Sequence, residues 1–359
     1  MPAAYGFIPG LNGLRAASIL LVVIGHFALP ERFNGVSALG VFLFFAISGF
    51  LITRLLFAED KKFGSISLKG FFYRRYLRLY PVLIFYLIFF LIIFTIRSDR
   101  YNSIEIFSVL FYFTNYLHNF YEWRGESLIF PIGALWSLAV EEHFYLFMPF
   151  AFLFMRGNPR KVLGFAIIFC IVPLLFRLAY VLIWPEIIGT GYVYRPSETR
   201  FDSIAIGVLI AALCEMPEGR GFLERFANLW GLIAGIVLLL AAFAYKGGIY
   251  GDTLRYTVRN IACGLILVSM VFGTGVGFFQ RIANWPVVDG VGRLSYSLYI
   301  WQGGIVMLLG YVGLHHDAFG GWLAICGSFV LAFLSYKLVE QPMLRFKDLG
   351  KRAQPAVSG

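Results

Sequence analysis

Charge is what this sequence lacks. Of 359 residues only 14% are Asp, Glu, Lys or Arg, where a soluble domain carries about a quarter. So few charges cannot cover a water-facing surface, which excludes a soluble fold. Cysteine is scarce as well. Cys170, Cys214, Cys263 and Cys326 stand singly in apolar segments. That spacing excludes a disulfide framework or a thiolate metal site, and they read as small core residues. Sustained alternation is missing, which excludes a transmembrane β-barrel. There is no glycine-rich phosphate loop, no zinc pattern and no nucleophile elbow. "GTGVGF" (273–278) follows an apolar helix and is not a dinucleotide fingerprint. "MPAAYGFIPG" has no basic n-region, and the first apolar run is long enough to span, so no cleavable signal peptide is expected. Internal repeats, low-complexity tracts and an appended soluble domain are not seen.

What is present is long apolar runs. The chain is 59% hydrophobic, with 39 Phe and 20 Tyr, as lipid-facing and interfacial surfaces require. The fold class is all-α, a polytopic integral membrane helical bundle of about ten transmembrane helices. Spans are expected near 13–30, 38–57, 78–97, 134–155, 161–183, 201–215, 228–245, 257–274, 294–313 and 321–340. Segment 104–120 is an eleventh candidate, shorter and more polar, and loop charge decides its status. The connection 58–77 holds Lys61, Lys62, Lys69, Arg74 and Arg75, with Arg78 at its end, and reads as cytoplasmic. "RGNPRK" (156–161) and the tail, with Arg345, Lys347, Lys351 and Arg352, join it on the inside only if 104–120 does not cross. This gives both termini in the cytoplasm, and 104–130 as a re-entrant or interfacial segment outside. Residues 1–345 form the membrane domain and 346–359 a short cytoplasmic tail. The net charge of +10 sits mostly in short connections, where it sets orientation and does not imply nucleic acid.

Several ionisable residues fall inside these spans, where each costs energy and is by default a functional candidate. Arg15 and His26 are eleven residues apart. At 100° per residue they share one helix face, about 16 Å apart along the axis. Arg15 then lies toward the cytoplasm and His26 toward the outside. The bland alternative is a snorkelling arginine and a hydrogen-bonded core histidine. Arg75 and Arg78 share a face at the cytoplasmic membrane edge, suited either to phosphate or to plain positive-inside anchoring. In "LWSLAVEEHFYLFMP" (135–149), Glu141, Glu142 and His143 point in three directions, with Trp136 and Tyr145 nearby. One of the carboxylates is a plausible partner for His26 or Arg15; a structural ion pair between helices is the alternative. Arg200 and Asp202 open a span and read as a structural pair. Tyr336 and Glu340 lie where the last span meets the cytoplasm, and Pro342 is expected to end that helix near Gln341. Gly40, Ser48 and Gly49 in "GVFLFFAISGF" (40–50) read as close-packing positions.

Taken in order, these motifs resemble the membrane-bound acyltransferase family 3, the O-acyltransferases of bacterial surface glycans. The resemblance runs over almost the whole chain. The first-helix arginine and histidine appear as Arg15 and His26. The spaced arginine pair appears as Arg75 and Arg78. The tryptophan-serine-leucine helix with two glutamates and a Phe-Tyr appears as Trp136, Ser137, Leu138, Glu141, Glu142, Phe144 and Tyr145. The serine-tyrosine helix appears as "SYSLYIWQ" (295–302), and the closing motif as Tyr336, Glu340 and Pro342. Where members often carry histidine after that tryptophan, this chain has Gln302, which speaks against proton transfer at that position. Members often carry a C-terminal hydrolase-like domain. This chain stops soon after the last span, so it is expected to transfer without one or to hand over to a separate protein.

The resemblance implies transfer of an acyl group, usually acetyl, from cytoplasmic acyl-CoA to a sugar hydroxyl. It implies no bound cofactor and no metal, with acyl-CoA as co-substrate. The implied partners are acyl-CoA, a glycan or lipid-linked glycan acceptor and membrane lipid, and the location is the bacterial inner membrane. The acceptor is expected to be an exopolysaccharide, lipopolysaccharide O-antigen or a lipid-linked precursor. His26 is the expected base or nucleophile, oriented by Glu141 or Glu142, with Arg15 on the donor or on the thioester oxygen. Arg75, Arg78, Tyr336 and Glu340 fall on the donor side. Trp136, Tyr145, Arg200 and Asp202 are structural or acceptor-side. Composition alone is equally compatible with a transporter or flippase of donor or lipid-linked glycan. Within the enzyme reading, a small acceptor such as a macrolide is the alternative.

Overall fold

The computed structural model describes residues 8–30, 33, 35–314 and 318–346, and among these the chain forms helices and no strand. α1 (Leu11–Phe27), α2 (Gly35–Phe63) and α3 (Leu68–Arg97) are followed by two short helices, α4 (Ser103–Leu110) and α5 (Thr114–Trp123). Next come α6 (Trp136–Phe154), α7 (Pro159–Ile183), α8 (Phe201–Cys214) and the short α9 (Pro217–Glu224). α10 (Leu229–Ala244), α11 (Gly248–Asp252), α12 (Leu254–Phe272) and α13 (Gly277–Ala283) lead to α14 (Pro286–Tyr311) and α15 (Ala318–Ser335). A π-helical turn, Tyr336–Glu340, joins α15 to α16 (Gln341–Arg345).

Each of the ten expected apolar runs is a helix. Five stretches among the described residues are long and apolar enough to cross a membrane: α2, α3, α7, α12 and Phe319–Arg345. α1, α8 and α10 are apolar and shorter. α6 and α14 have 19 and 26 residues and are interrupted by polar side chains. Local signals set several helix starts. Ser67 caps α3 by accepting the Gly70 N–H, and Asn158 caps α7 ahead of Pro159.

Three expectations need correction. The segment 58–77 is mostly helix, because α2 continues to Phe63 and α3 begins at Leu68. A helix satisfies its own backbone and has no reason to stop where hydrocarbon ends. The 104–120 run is broken: Tyr112 takes a left-handed φ of 57° between α4 and α5, neither of which is long enough to span. Pro342 does not end the last helix. The Gln341 N–H reaches back to the Tyr336 carbonyl, and the widened turn carries the chain past the proline to Arg345. The expected tail, with Lys347, Lys351 and Arg352, lies outside the described residues except for Phe346.

α1 is held between α2 and α14, and α2 packs in turn on α8. Glycines permit this closeness. A Cβ at Gly49 would overlap the Ile204 carbonyl, and one at Gly207 the Ala46 carbonyl. α7 and α10 turn outward, exposing Ile168, Ile171, Leu175 and Leu182, and Val237 and Leu240. Such apolar rows suit lipid contact. The connections separate onto two faces. On one, Arg54 and Lys61 pair with Glu215, and Arg160 pairs with Glu218. This basic face also carries Lys62, Lys69 and Arg74. On the far face, Arg195 pairs with Glu122, the Asn119 amide donates to the Tyr192 carbonyl at 2.7 Å, and Asp252 accepts the Gly189 N–H at 2.6 Å. α5 therefore belongs to the far face.

Candidate active site

The polar residues inside the bundle gather around two cavities. The first, about 700 Å³, opens on the basic face and is lined by Glu59, Lys62 and Arg74 at its mouth. Deeper, Arg15, Arg75, Arg78, Glu141 and Tyr145 line it. The second, about 750 Å³, opens on the far face and is lined by His26, Trp136, Gln302 and a group of basic residues. Both volumes suit a small-molecule or cofactor-sized ligand. α1 runs past both, so Arg15 and His26 share a helix face but serve different cavities. The cavities have Val41 and Tyr299 as common lining. The Tyr299 hydroxyl donates to the Ala134 carbonyl at 2.8 Å and accepts from Ser137 at 2.7 Å, which fixes this partition.

In the basic-face cavity Arg75 is already engaged. It donates to Glu142 through Nε at 3.1 Å and Nη2 at 2.9 Å, and its guanidinium stacks 3.3 Å above the Tyr145 ring. Arg15 and Arg78 make no hydrogen bond or ion pair among the described residues. Glu141 accepts from the Ser48 hydroxyl at 2.8 Å. Neither glutamate is bonded to His26 or Arg15, contrary to expectation, because α6 turns both toward α2 and α3. Glu340 is buried, accepting from Ser297 at 2.7 Å, while Tyr336 lines neither cavity.

In the far-face cavity His26 is bonded to Gln302 through Nδ1 at 2.7 Å. The amide oxygen only accepts, so Nδ1 carries the proton and Nε2 keeps its lone pair. Gln302, noticed in the sequence only where a histidine was expected, is thus the partner of His26. Trp136 lies beside Tyr194, with ring centroids 4.7 Å apart. His118, on α5 at the cavity wall, is held down at about 4 by burial and then by the charge of Arg195. Arg200 and Asp202 are not paired with each other. Asp202 accepts from Arg177 at 2.7 Å, both fully buried, and Arg200 lies among the rings of Phe42, Tyr194 and Tyr256. Arg200 precedes α8 with a non-helical φ of −124° while Asp202 sits in its first turn, so helix spacing does not bring the two side chains together.

Sequence reasoning missed Gln302 as a partner, Ser48, Ser137, Ser297, Tyr299 and Arg177. Ser137, Ser297, Tyr299 and Gln302 stood inside noticed motifs, but nothing in one sequence tells which faces meet. Among the described residues no group of three or more His, Cys, Asp or Glu is placed to hold a metal ion.

The helical membrane bundle thus has one cavity on each face, with Arg15 and Arg78 in one and a hydrogen-bonded histidine in the other. The family described as "Acyltransferase domain" matches residues 8–336, and the chain belongs to this family of acyltransferases. A Staphylococcus aureus (strain COL) protein provisionally named as an O-acetyltransferase is 29% identical over 358 residues, covering 94% of this chain and 57% of that protein. The O-acetyltransferase OatA of Staphylococcus aureus (strain NCTC 8325 / PS 47) is 27% identical over 360 residues, with the same coverage. The chain thus spans just over half the length of these relatives. No solved structure matches it.

Proposed function

We propose that this protein is a ten-span O-acyltransferase of the bacterial inner membrane, with both termini in the cytoplasm. It moves an acyl group, acetyl first of all, from cytoplasmic acyl-CoA to a sugar hydroxyl of a surface polysaccharide or its lipid-linked precursor. The observation that carries the reading is the pair of cavities on opposite faces, which share Val41 and Tyr299 as lining, with His26 in the second. The names of the relatives support acetyl as the group and oxygen as the acceptor atom.

Arg15 and Arg78 bind the phosphates of the donor in the basic-face cavity. Their planar forks suit phosphate, and they have no competing carboxylate in contact. Arg75 acts as a brace, its charge already taken by Glu142. Arg15 lies about 16 Å along α1 from His26, so it anchors the donor and does not stabilise the reacting carbonyl. The thin pantetheine arm passes Val41 and Tyr299, bringing the thioester to His26. The acceptor enters from the far face. His26 Nε2 takes the hydroxyl proton as the oxygen attacks the thioester carbon. The tetrahedral intermediate collapses, the carbon–sulfur bond breaks, and His26 returns the proton to the leaving thiolate. Gln302 holds the tautomer that makes Nε2 the base.

Purified protein with radiolabelled acetyl-CoA and acceptor tests this. His26→Ala is expected to cut transfer by about 10²–10⁴-fold; transfer at the wild-type rate refutes the role. A labelled histidine adduct trapped without acceptor assigns Nε2 as nucleophile in place of base.

A further inference from the structure

The far-face cavity is more basic than a neutral sugar needs. Arg195, Lys246, Arg255 and Arg259, four cations, line it against one carboxylate, Asp252, which accepts the Gly189 N–H. Arg195 is matched by Glu122. The other three cations form no hydrogen bond or ion pair among the described residues. Arg255 and Arg259 are four apart on α12 and so share the face that lines the cavity. Arg259 is only 3% exposed, and the Nε atoms of both arginines are buried without an acceptor. Lys246 reaches the same wall from the α10–α11 connection, its ammonium near the Phe243 ring.

Elsewhere in the bundle Arg177 has Asp202 and Arg75 has Glu142. Arg259 has only a ring beside it, that of Phe42, as Arg200 has, and Arg255 lies near the ring of Tyr256. A buried cation without a counter-charge is costly in a low-dielectric setting. A cavity wall that holds Arg259 buried, Arg255 half-buried and Lys246 at its exposed rim, none with a carboxylate partner among the described residues, suits an anion that arrives with the ligand. His26 lines the same cavity.

We propose that Arg255, Arg259 and Lys246 form an oxyanion-binding site, and that the acceptor presents a phosphate or carboxylate beside its reacting hydroxyl. This rests on the far-face cavity being the acceptor side. Two sources have this chemistry: the phosphate of a polyprenyl lipid carrier and the carboxylate of an acidic sugar.

The test uses the full chain in phosphatidylcholine nanodiscs. Binding of inorganic phosphate, glucuronate and glucose is measured by calorimetry, and retention of polyprenyl phosphate by native mass spectrometry. Phosphate or glucuronate is expected to bind and glucose not. Arg255→Gln and Arg259→Gln should each weaken the anion at least about tenfold, whereas Arg160→Gln, on the exposed basic face and in neither cavity, leaves it. Retention of polyprenyl phosphate that is lost in Arg255→Gln assigns a lipid carrier; glucuronate binding lost in the same variant assigns an acidic sugar. Absence of anion binding, or binding unchanged in these variants, overturns the proposal. If Arg259→Gln does not fold, Arg255→Gln and Lys246→Gln carry the result, since Arg255 is half-exposed. Acetyl-CoA binding is measured in the same samples. Its absence in the wild type would refute the transferase reading without touching the anion result.

Discussion

At the scale of single residues, His26 shows what one sequence can and cannot reveal. Its place on α1, its shared face with Arg15 and its direction all follow from 3.6 residues per turn. Its partner does not follow, because Gln302 is 276 positions away and was noticed only as a departure. Gln302→Leu removes the acceptor that fixes the tautomer and leaves the imidazole itself in place. The turnover rate is expected to fall by about 10–100-fold, less than the loss from removing the base itself. The KM for acetyl-CoA should stay unchanged, because the proposed site for the donor phosphates is the other cavity; a change confined to KM would contradict this. Asp202 carries a different lesson. Adjacent opposite charges invite pairing, but α8 geometry sends Asp202 to Arg177. Asp202→Ala strands that guanidinium, at a cost of about 3–5 kcal/mol. A marked drop in the apparent unfolding temperature in detergent is the expected readout, with little change if the pair is incidental.

At the scale of elements, the cores of the spans could be read directly, since an apolar run in water has nowhere else to go. Their ends could not. α2 and α3 carry Lys61, Lys62 and Arg74 on turns beyond the apolar stretch, still helical. The same limit hid the break at Tyr112 and the π-turn before Pro342, both of which depend on neighbours distant in sequence. Glycine spacing did signal close approach. Gly49 was read as a packing position, and it meets α8 where Gly207 meets α2 in return. A Cβ in that contact strikes backbone, which cannot swing aside. Gly207→Ala is expected to cost about 1–3 kcal/mol and reduce the yield of folded protein. Gly164→Ala, on the open side of α7, should be silent in the same expression and thermal-stability assay.

At the scale of the whole molecule, loop charge predicted two faces, and the ion pairs Arg160–Glu218 and Arg195–Glu122 fall on opposite ones. Cysteine labelling checks the corresponding membrane orientation. In sealed inverted vesicles, Asn158→Cys on the basic face should react with an impermeant maleimide and Thr190→Cys should not. Right-side-out vesicles should reverse the result, and labelling of both from one side would refute the ten-span orientation. The cavities themselves were not foreseeable. They are spaces left between α1, α2, α6 and α14, and no residue pattern encodes a void. The partition between them has a physiological consequence. The two cavities approach each other at Val41 and the tethered ring of Tyr299, which line both. The proposed reaction asks that ring to let a thioester slip past, and the same ring must then shut behind it quickly enough to keep protons from following.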